Sequence, residues 1–252
     1  MKVKKHLTAK KVVSKTTSAP VEQVAPTWSQ LRLILLFFVI WRGALFLIGR
    51  LAEFFFSYRP SFPYSEILAI KTNMPQWLYS WANFDGVHYI RIAELGYGDT
   101  GLVQAFFPFF PHTLIRTFLS LNNFRFGAFW PSLIVANAAM IVFFIFWFWL
   151  AKALFGSRNA WWSLLILACF PTAFFFGAVY TESIFMAAVI GAFLAAHYKN
   201  WKLVMLAIMI ATATRLVGVF LVPAIWLEIW WQDQADGANL GDWSDYCAVQ
   251  RS

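Results

Sequence analysis

Asp85, His88 and Arg91 follow one another at helical spacing in the stretch "WANFDGVHYIRIAELGY", and Tyr89 lies between them. Shortly after comes "AFFPFFPHTLIR", which carries His112, and much later "VYTES", which carries Tyr180, Thr181 and Glu182. Two arginines, Arg42 and Arg215, stand inside long apolar runs. A carboxylate such as Asp85 can take a proton from a hydroxyl, and arginines can hold phosphate oxygens with paired N–H donors. An ionisable group at membrane depth costs about 2.5–3.5 kcal/mol on insertion scales, which makes Arg42, Arg215 and Glu182 functional candidates. Together these residue types describe a site for a sugar or lipid phosphate. Simpler roles exist for each of them. Aspartate before glycine is a common turn residue, Glu182 suits the first turn of a helix, the histidines can serve as interfacial hydrogen-bond partners, and an ion pair would satisfy either arginine.

These groups need a scaffold, and the composition says which kind. Apolar residues make up 60% of the chain, well above the roughly 45–50% of soluble globular proteins. Runs of about 20 apolar residues, the length that crosses a bilayer, occur at 31–55, 128–150, 160–177, 179–197 and 203–230. The chain therefore reads as an all-α, polytopic integral membrane protein with about five transmembrane helices. Residues 1–30 form a basic tail expected to be disordered and cytoplasmic, 31–230 the membrane domain, and 231–252 a short polar, acidic tail expected outside. The net charge of +8 owes much to Lys2, Lys4, Lys5, Lys10, Lys11 and Lys15 in the first tail. It points to lipid headgroups and a cytoplasmic anchor, not to nucleic acid.

With the N-terminus inside, Lys152, Arg158, Lys199 and Lys202 all fall in inner loops, as the positive-inside rule requires. Residues 56–127 then become a long first extracytoplasmic loop of short amphipathic helices, "SEILAI", "PQWLYSWANF" and "GVHYIRIAELGY". Residues 102–121 are apolar enough to span, but Pro108, Pro111, His112 and Arg116 interrupt them. Crossing there would also turn the basic loops outward, so the segment is read as an interfacial or re-entrant helix. This parity puts Asp85, His88, Arg91, His112, Tyr180, Thr181 and Glu182 on one face, with Arg215 pointing towards them. Two cysteines, Cys169 and Cys247, suggest neither a disulfide framework nor a zinc site, and no spacing of potential ligands resembles a metal cage.

At these residues the chain resembles a known family. "WANFDGVHYIRIAELGY" followed by "AFFPFFPHTLIR" is similar to the first outer-loop block of the PIG-V-type mannosyltransferases, the GPI mannosyltransferase II family and its prokaryotic relatives. "CFPTAFFFGAVYTESIFM" resembles the second block of that family and "ATATRLVGVF" the third, with a fainter echo in "WRGALF". The blocks lie in family order over about residues 36–223. The resemblance implies a GT-C glycosyltransferase that moves mannose, or a related hexose, from a polyprenyl-phosphate donor to a hydroxyl of a glycan or glycolipid acceptor at the extracytoplasmic face. By position, Asp85 matches the essential aspartate of the family; His88 and Tyr89 match the pair that follows, and Pro108 and Pro111 the two prolines. Tyr180, Thr181 and Glu182 match the second block, and Arg215 matches the arginine of the third.

The resemblance casts Asp85 as general base and Glu182, His88 and Tyr180 as groups that orient sugar or acceptor hydroxyls. Arg215, with Arg91, would neutralise the leaving phosphate. Tyr89, Thr181, His112 and Arg42 complete the expected binding set. No cofactor follows with certainty from these residues; a divalent cation could sit beside Asp85, although no second carboxylate adjoins it. Where the family places tryptophan before this aspartate the chain has Phe84, with Trp81 the nearest indole. Family members are longer, so the chain compares with a truncated or N-terminal part of such an enzyme. The expected location is the plasma membrane, or the endoplasmic reticulum in a eukaryote. A lipid-linked-sugar flippase and an inactive partner subunit are the alternative readings.

Overall fold

The computed structural model describes residues 25–56, 75–98, 102–122 and 127–237. The expected basic tail up to residue 24, the "SEILAI" helix and Cys247 lie outside the described residues.

Every regular element among the described residues is helical. Helix α1 (Trp28–Phe55) starts on a capping box: Thr27 Oγ1 accepts the Gln30 N–H, and the Gln30 side chain accepts the Thr27 N–H. After a short α2 (Gln76–Tyr79) and a 3₁₀ turn at Ser80–Ala82 comes α3 (Asp85–Leu95). The expected amphipathic helices at these positions are therefore formed. The segment expected as interfacial or re-entrant is helix of several kinds: a 3₁₀ turn at Leu102–Ala105, a π-helical turn at Phe109–Ile115 and α4 (Arg116–Asn122). The wide turn follows from Pro108 and Pro111; the Pro108 carbonyl accepts from both the His112 and the Thr113 N–H at 3.0 Å. Phe110, Pro111 and Ile115 are buried beneath α3 and the start of the next long helix.

The apolar stretch Phe129–Cys169 is a helical hairpin. It reverses at Gly156, whose φ of 80° and ψ of 165° an L side chain resists. We call its arms α5 (residues 129–155) and α6 (residues 157–169). They lie antiparallel: the Phe148 and Trp161 rings are 4.6 Å apart, and Trp147 Nε1 donates to Ser163 Oγ at 3.1 Å. The expected basic loop at Lys152 and Arg158 is this tight reversal. Helix α7 (Glu182–His197) runs back alongside, and a turn capped by Asn200 starts α8 (Trp201–Thr214).

Here the structure corrects the expectation. Residues 203–230 are not one span, because the helix stops at Arg215, whose backbone is extended, and a 3₁₀ turn at Leu216–Phe220 leads into α9 (Leu221–Gly237). Gly218 makes the reversal close: a Cβ there would sit 2.5 Å from the Ala211 carbonyl carbon. Leu221 and Ile225 pack with Ala188 and Ala211, and Gln232 Nε2 reaches the Ala196 carbonyl at 3.3 Å. Helix α9 thus runs beside α7 towards the end that carries Lys199 and Lys202, and the segment at Gln232, expected at the opposite face, lies at the basic end.

Trp28–Phe55, Phe129–Cys169 and Leu216–Gln234 are long and apolar enough to cross a membrane, while α7 and α8 are shorter apolar helices. Many of their large side chains point outward, including Leu36, Ile40, Leu47, Met209 and Trp226. An apolar surface on that scale suits lipid and not water. The chain is accordingly an all-helical protein with the helices of a membrane protein. Its interior falls into a cluster between α1, α5 and α6, another between α7, α8 and α9, and a third at the far end, where α3 and the π turn meet the start of α5 and residues 178–184.

Candidate functional site

The far end of the bundle brings the chemistry-bearing stretches together. The Val179 N–H donates to the Trp81 carbonyl at 2.9 Å, and Tyr180 Oη donates to the Asn83 carbonyl at 2.9 Å. The Tyr180 hydroxyl also takes a hydrogen bond from the Asp85 backbone N–H. Gly86 allows this approach, since a Cβ there would lie 3.2 Å from the Val179 carbonyl oxygen and 3.3 Å from Ala82 Cβ. Residues 81–86 and 178–181 are thereby joined, although nearly a hundred residues of chain separate them.

Asp85 opens α3 and is exposed. The preceding Phe84 has φ 53° and ψ −118°, a conformation that costs a non-glycine residue about 1–3 kcal/mol and is concentrated at functional sites. Its ring faces outward, whereas the Trp81 ring is buried against Arg42 and does not substitute for a ring beside Asp85. One turn after Asp85, about 6 Å along the helix, Tyr89 is buried and its hydroxyl is hydrogen-bonded to the Thr181 side chain. Burial, reinforced by Asp85 and Glu182 and opposed by that hydrogen bond and by Arg215, pushes the Tyr89 phenol up to about 12. Tyr180 is raised in the same way, by burial first and then by Asp85 and Glu182. Both phenols therefore stay protonated as donors at neutral pH. His88 is buried and stacked on Phe106, with ring centres 4.9 Å apart. Burial lowers its basicity, with Asp85 opposing and Arg91 adding to the effect.

Glu182 opens α7, and Arg215 terminates α8 beside it, with Nη1 to Oε1 at 2.7 Å. The pair lies on the wall of a cavity of about 590 Å³. Tyr89, Thr181 and Thr214 supply its other polar edges, and Phe106, Phe107, Phe176 and Phe185 supply much of the rest. Asp85 is not part of that wall; it stands at the outer end of the α3 face that presents Tyr89 to the cavity.

Of the expected site residues, Tyr89, Thr181, Glu182 and Arg215 line the cavity, while Asp85, His88 and Tyr180 adjoin it through α3 and the 178–181 segment. Arg91 is half-buried on α3, and His112 is exposed on the π turn, its ring 6.3 Å from that of Tyr97; neither lines the cavity. Arg42, also expected in the binding set, lies apart from the cavity. It is buried between the Phe46 and Trp81 rings, 4.2 and 4.0 Å from their centroids, and its Nη2 donates to the Gly177 carbonyl at 2.6 Å. It ties α1 to both outer segments and does not face the cavity. Asn137, absent from the expected set, donates to the same carbonyl at 3.3 Å. An asparagine inside an apolar span was the available signal for it. Glu94 likewise has a structural task, accepting the Ala128 N–H at 3.0 Å where α5 begins. Among the described residues no cluster of His, Cys, Asp or Glu could hold a metal ion.

Removing the Tyr180 hydroxyl tests the link between the two segments. Tyr180→Phe is expected to cost about 1–3 kcal/mol, because the Asn83 carbonyl and Asp85 N–H each lose a partner. It should also speed amide hydrogen exchange over residues 83–88 and leave α9 unchanged. Unaltered exchange at Asp85 would show that the hydroxyl does not hold this turn.

An all-helical, apolar-surfaced bundle with an aromatic cavity and an ion pair at one end is the class that fold and site define. No family model, curated protein or solved structure matches the chain.

Proposed function

We propose that the chain is a multi-pass membrane glycosyltransferase of the PIG-V-like, GT-C kind, transferring mannose or a related hexose from a polyprenyl-phosphate donor to an acceptor hydroxyl. The observation that carries this reading is the meeting of three distant stretches, "FDGVHY", "YTES" and Arg215, around one cavity. They are the stretches whose resemblance to the family blocks suggested the chemistry. The site also lies at the end of the bundle away from Lys152, Lys199 and Lys202, which supports an extracytoplasmic reaction under the positive-inside rule.

In the proposed reaction the acceptor approaches from the open side at Asp85, and the donor phosphate lies by Arg215. The acceptor oxygen bonds to the anomeric carbon as its proton passes to the Asp85 carboxylate. The bond from that carbon to the phosphate oxygen breaks, its electron pair stays on the phosphate, and Arg215 stabilises the added charge. Attack opposite the leaving group inverts the anomeric centre. Tyr89 and Thr181 provide neutral hydroxyls for sugar oxygens, Tyr180 holds the turn that carries Asp85, and the phenylalanines exclude water from the anomeric carbon.

The test is reconstitution of the chain in vesicles with radiolabelled mannosyl-phosphoryl-polyprenol and an alkyl mannoside. Label is expected in the alkyl mannoside. Label that crosses the bilayer while remaining on the lipid would replace the enzyme reading with that of a flippase. Absence of both activities would leave a partner subunit.

A further inference from the structure

Among the described residues that line the cavity, only Glu182 and Arg215 carry charge, and they are bonded to each other. The anion-binding group of the cavity is therefore already engaged. We propose that Glu182 is an internal stand-in for an anionic ligand, so that a phosphate entering the cavity displaces its carboxylate from Arg215. The inference rests on reading the cavity as the place of a phosphate-bearing ligand, and it concerns how that place is kept and released.

The pair is built to separate. Its side chains are 41% and 26% exposed for Arg215 and Glu182, so solvent screens their attraction. Each charge also has a second source of support. Glu182 is the first residue of α7, where the free N–H groups favour an anion, and Arg215 follows the last residue of α8, where free carbonyls favour a cation. Parting them strands neither charge.

The bond between them is incomplete on both sides. Glu182 Oε2 is buried with no hydrogen-bond partner, so the carboxylate uses one oxygen where a well-seated carboxylate uses both. Arg215 gives one N–H to Glu182 out of the five a guanidinium carries. A phosphate can accept a parallel pair of those donors, a stronger arrangement than the single bond now present. Its arrival frees the whole Glu182 carboxylate, which can then accept a ligand hydroxyl. The stand-in also confers selectivity: a neutral sugar gains nothing from Arg215 while the pair is closed, and a phosphate does.

The experiment measures binding without turnover, using farnesyl monophosphate and inorganic phosphate as probes on the purified full chain in detergent. Glu182→Gln is expected to tighten farnesyl monophosphate binding about 1.5- to 5-fold, because the competing charge is gone. Arg215→Gln should abolish the gain, and the double variant should bind no better than Arg215→Gln alone. If the glutamine variant fails to fold, as judged by its melting temperature, Glu182→Asp, which shortens the reach to Arg215, should tighten binding in the same direction. Equal or weaker binding by the folded Glu182 variant would overturn the proposal and make Glu182 a holder of Arg215 or of the ligand. Tighter binding of farnesyl monophosphate than of inorganic phosphate assigns the anion to a lipid, and parity assigns it to a free ion. Sugar transfer that fails while this pattern holds removes the enzyme reading and leaves the stand-in; transfer without the pattern does the reverse.

Discussion

Asp85→Asn is expected to lower sugar transfer about 100- to 10,000-fold while the protein remains folded, the range lost with a general base. Three features make the substitution clean. Asp85 is exposed, so no buried pairing is broken. Asparagine keeps the shape of the side chain at the start of α3, and the lost charge–dipole interaction costs only about 0.3–1 kcal/mol. The fixed positions of its neighbours depend on the Asp85 backbone N–H and the Tyr180 hydroxyl, which the change does not touch. The charge of Asp85 also leaves a signature independent of activity. It raises Tyr89 and Tyr180, so their titration should move down in the variant, towards the ordinary phenol value. It opposes the lowering of His88 by burial, so the imidazole should move further down. A variant that shows these shifts and still transfers at the wild-type rate would remove Asp85 as the base and leave it as a local charge. Loss of transfer without the shifts would indicate that α3 had moved.

The legible part of this molecule was the part written in local chemistry. The long apolar runs gave α1 and the α5–α6 hairpin, and Gly156 between Lys152 and Arg158 marks the reversal. Charge parity placed Asp85, Glu182 and Arg215 at one end, where the structure has them within a few side chains of one another. The turn at Arg215 is hard to read because residues 203–230 are apolar apart from a few positions such as Arg215 and Glu228, and hydropathy does not distinguish one long span from two helices folded back. The signals were Gly218, which permits close packing on Ala211, and Pro223, which falls in the first turn of α9 where proline is tolerated. Arg42 is a related case. A lone cation in a span suggests a ligand contact, and only three-dimensional packing shows that two aromatic rings and a carbonyl already surround it. The walls of the cavity are the least legible of all, since phenylalanine recurs in nearly every apolar stretch between residues 37 and 198.

Gly177 is where that packing is most sensitive. A Cβ at this position would lie 2.5 Å from Arg42 Nη1 and 2.9 Å from its Cζ. The end of an arginine side chain can usually move aside, but here the Phe46 and Trp81 rings cover its faces. Gly177→Ala is therefore expected to cost about 1–3 kcal/mol for overpacking, and about 1.5–3 kcal/mol more as the charge-assisted bond to the Gly177 carbonyl is lost. The cost should fall to a fraction of that in an Arg42→Met background, because methionine leaves room for the methyl group, and Asn137 still donates to the Gly177 carbonyl. The single Arg42→Met change should alter stability much less than Gly177→Ala does. It removes a hydrogen bond and two ring contacts, but it also removes a buried cation whose Nε and Nη1 have no partners. Its effect should fall on transfer, because the bond by which Arg42 ties the Gly177 segment, next to Glu182, to α1 is then lost. Melting temperatures of the two single variants and the double variant complete the cycle. Equal losses for Gly177→Ala in both backgrounds would place the clash elsewhere and refute the clamp.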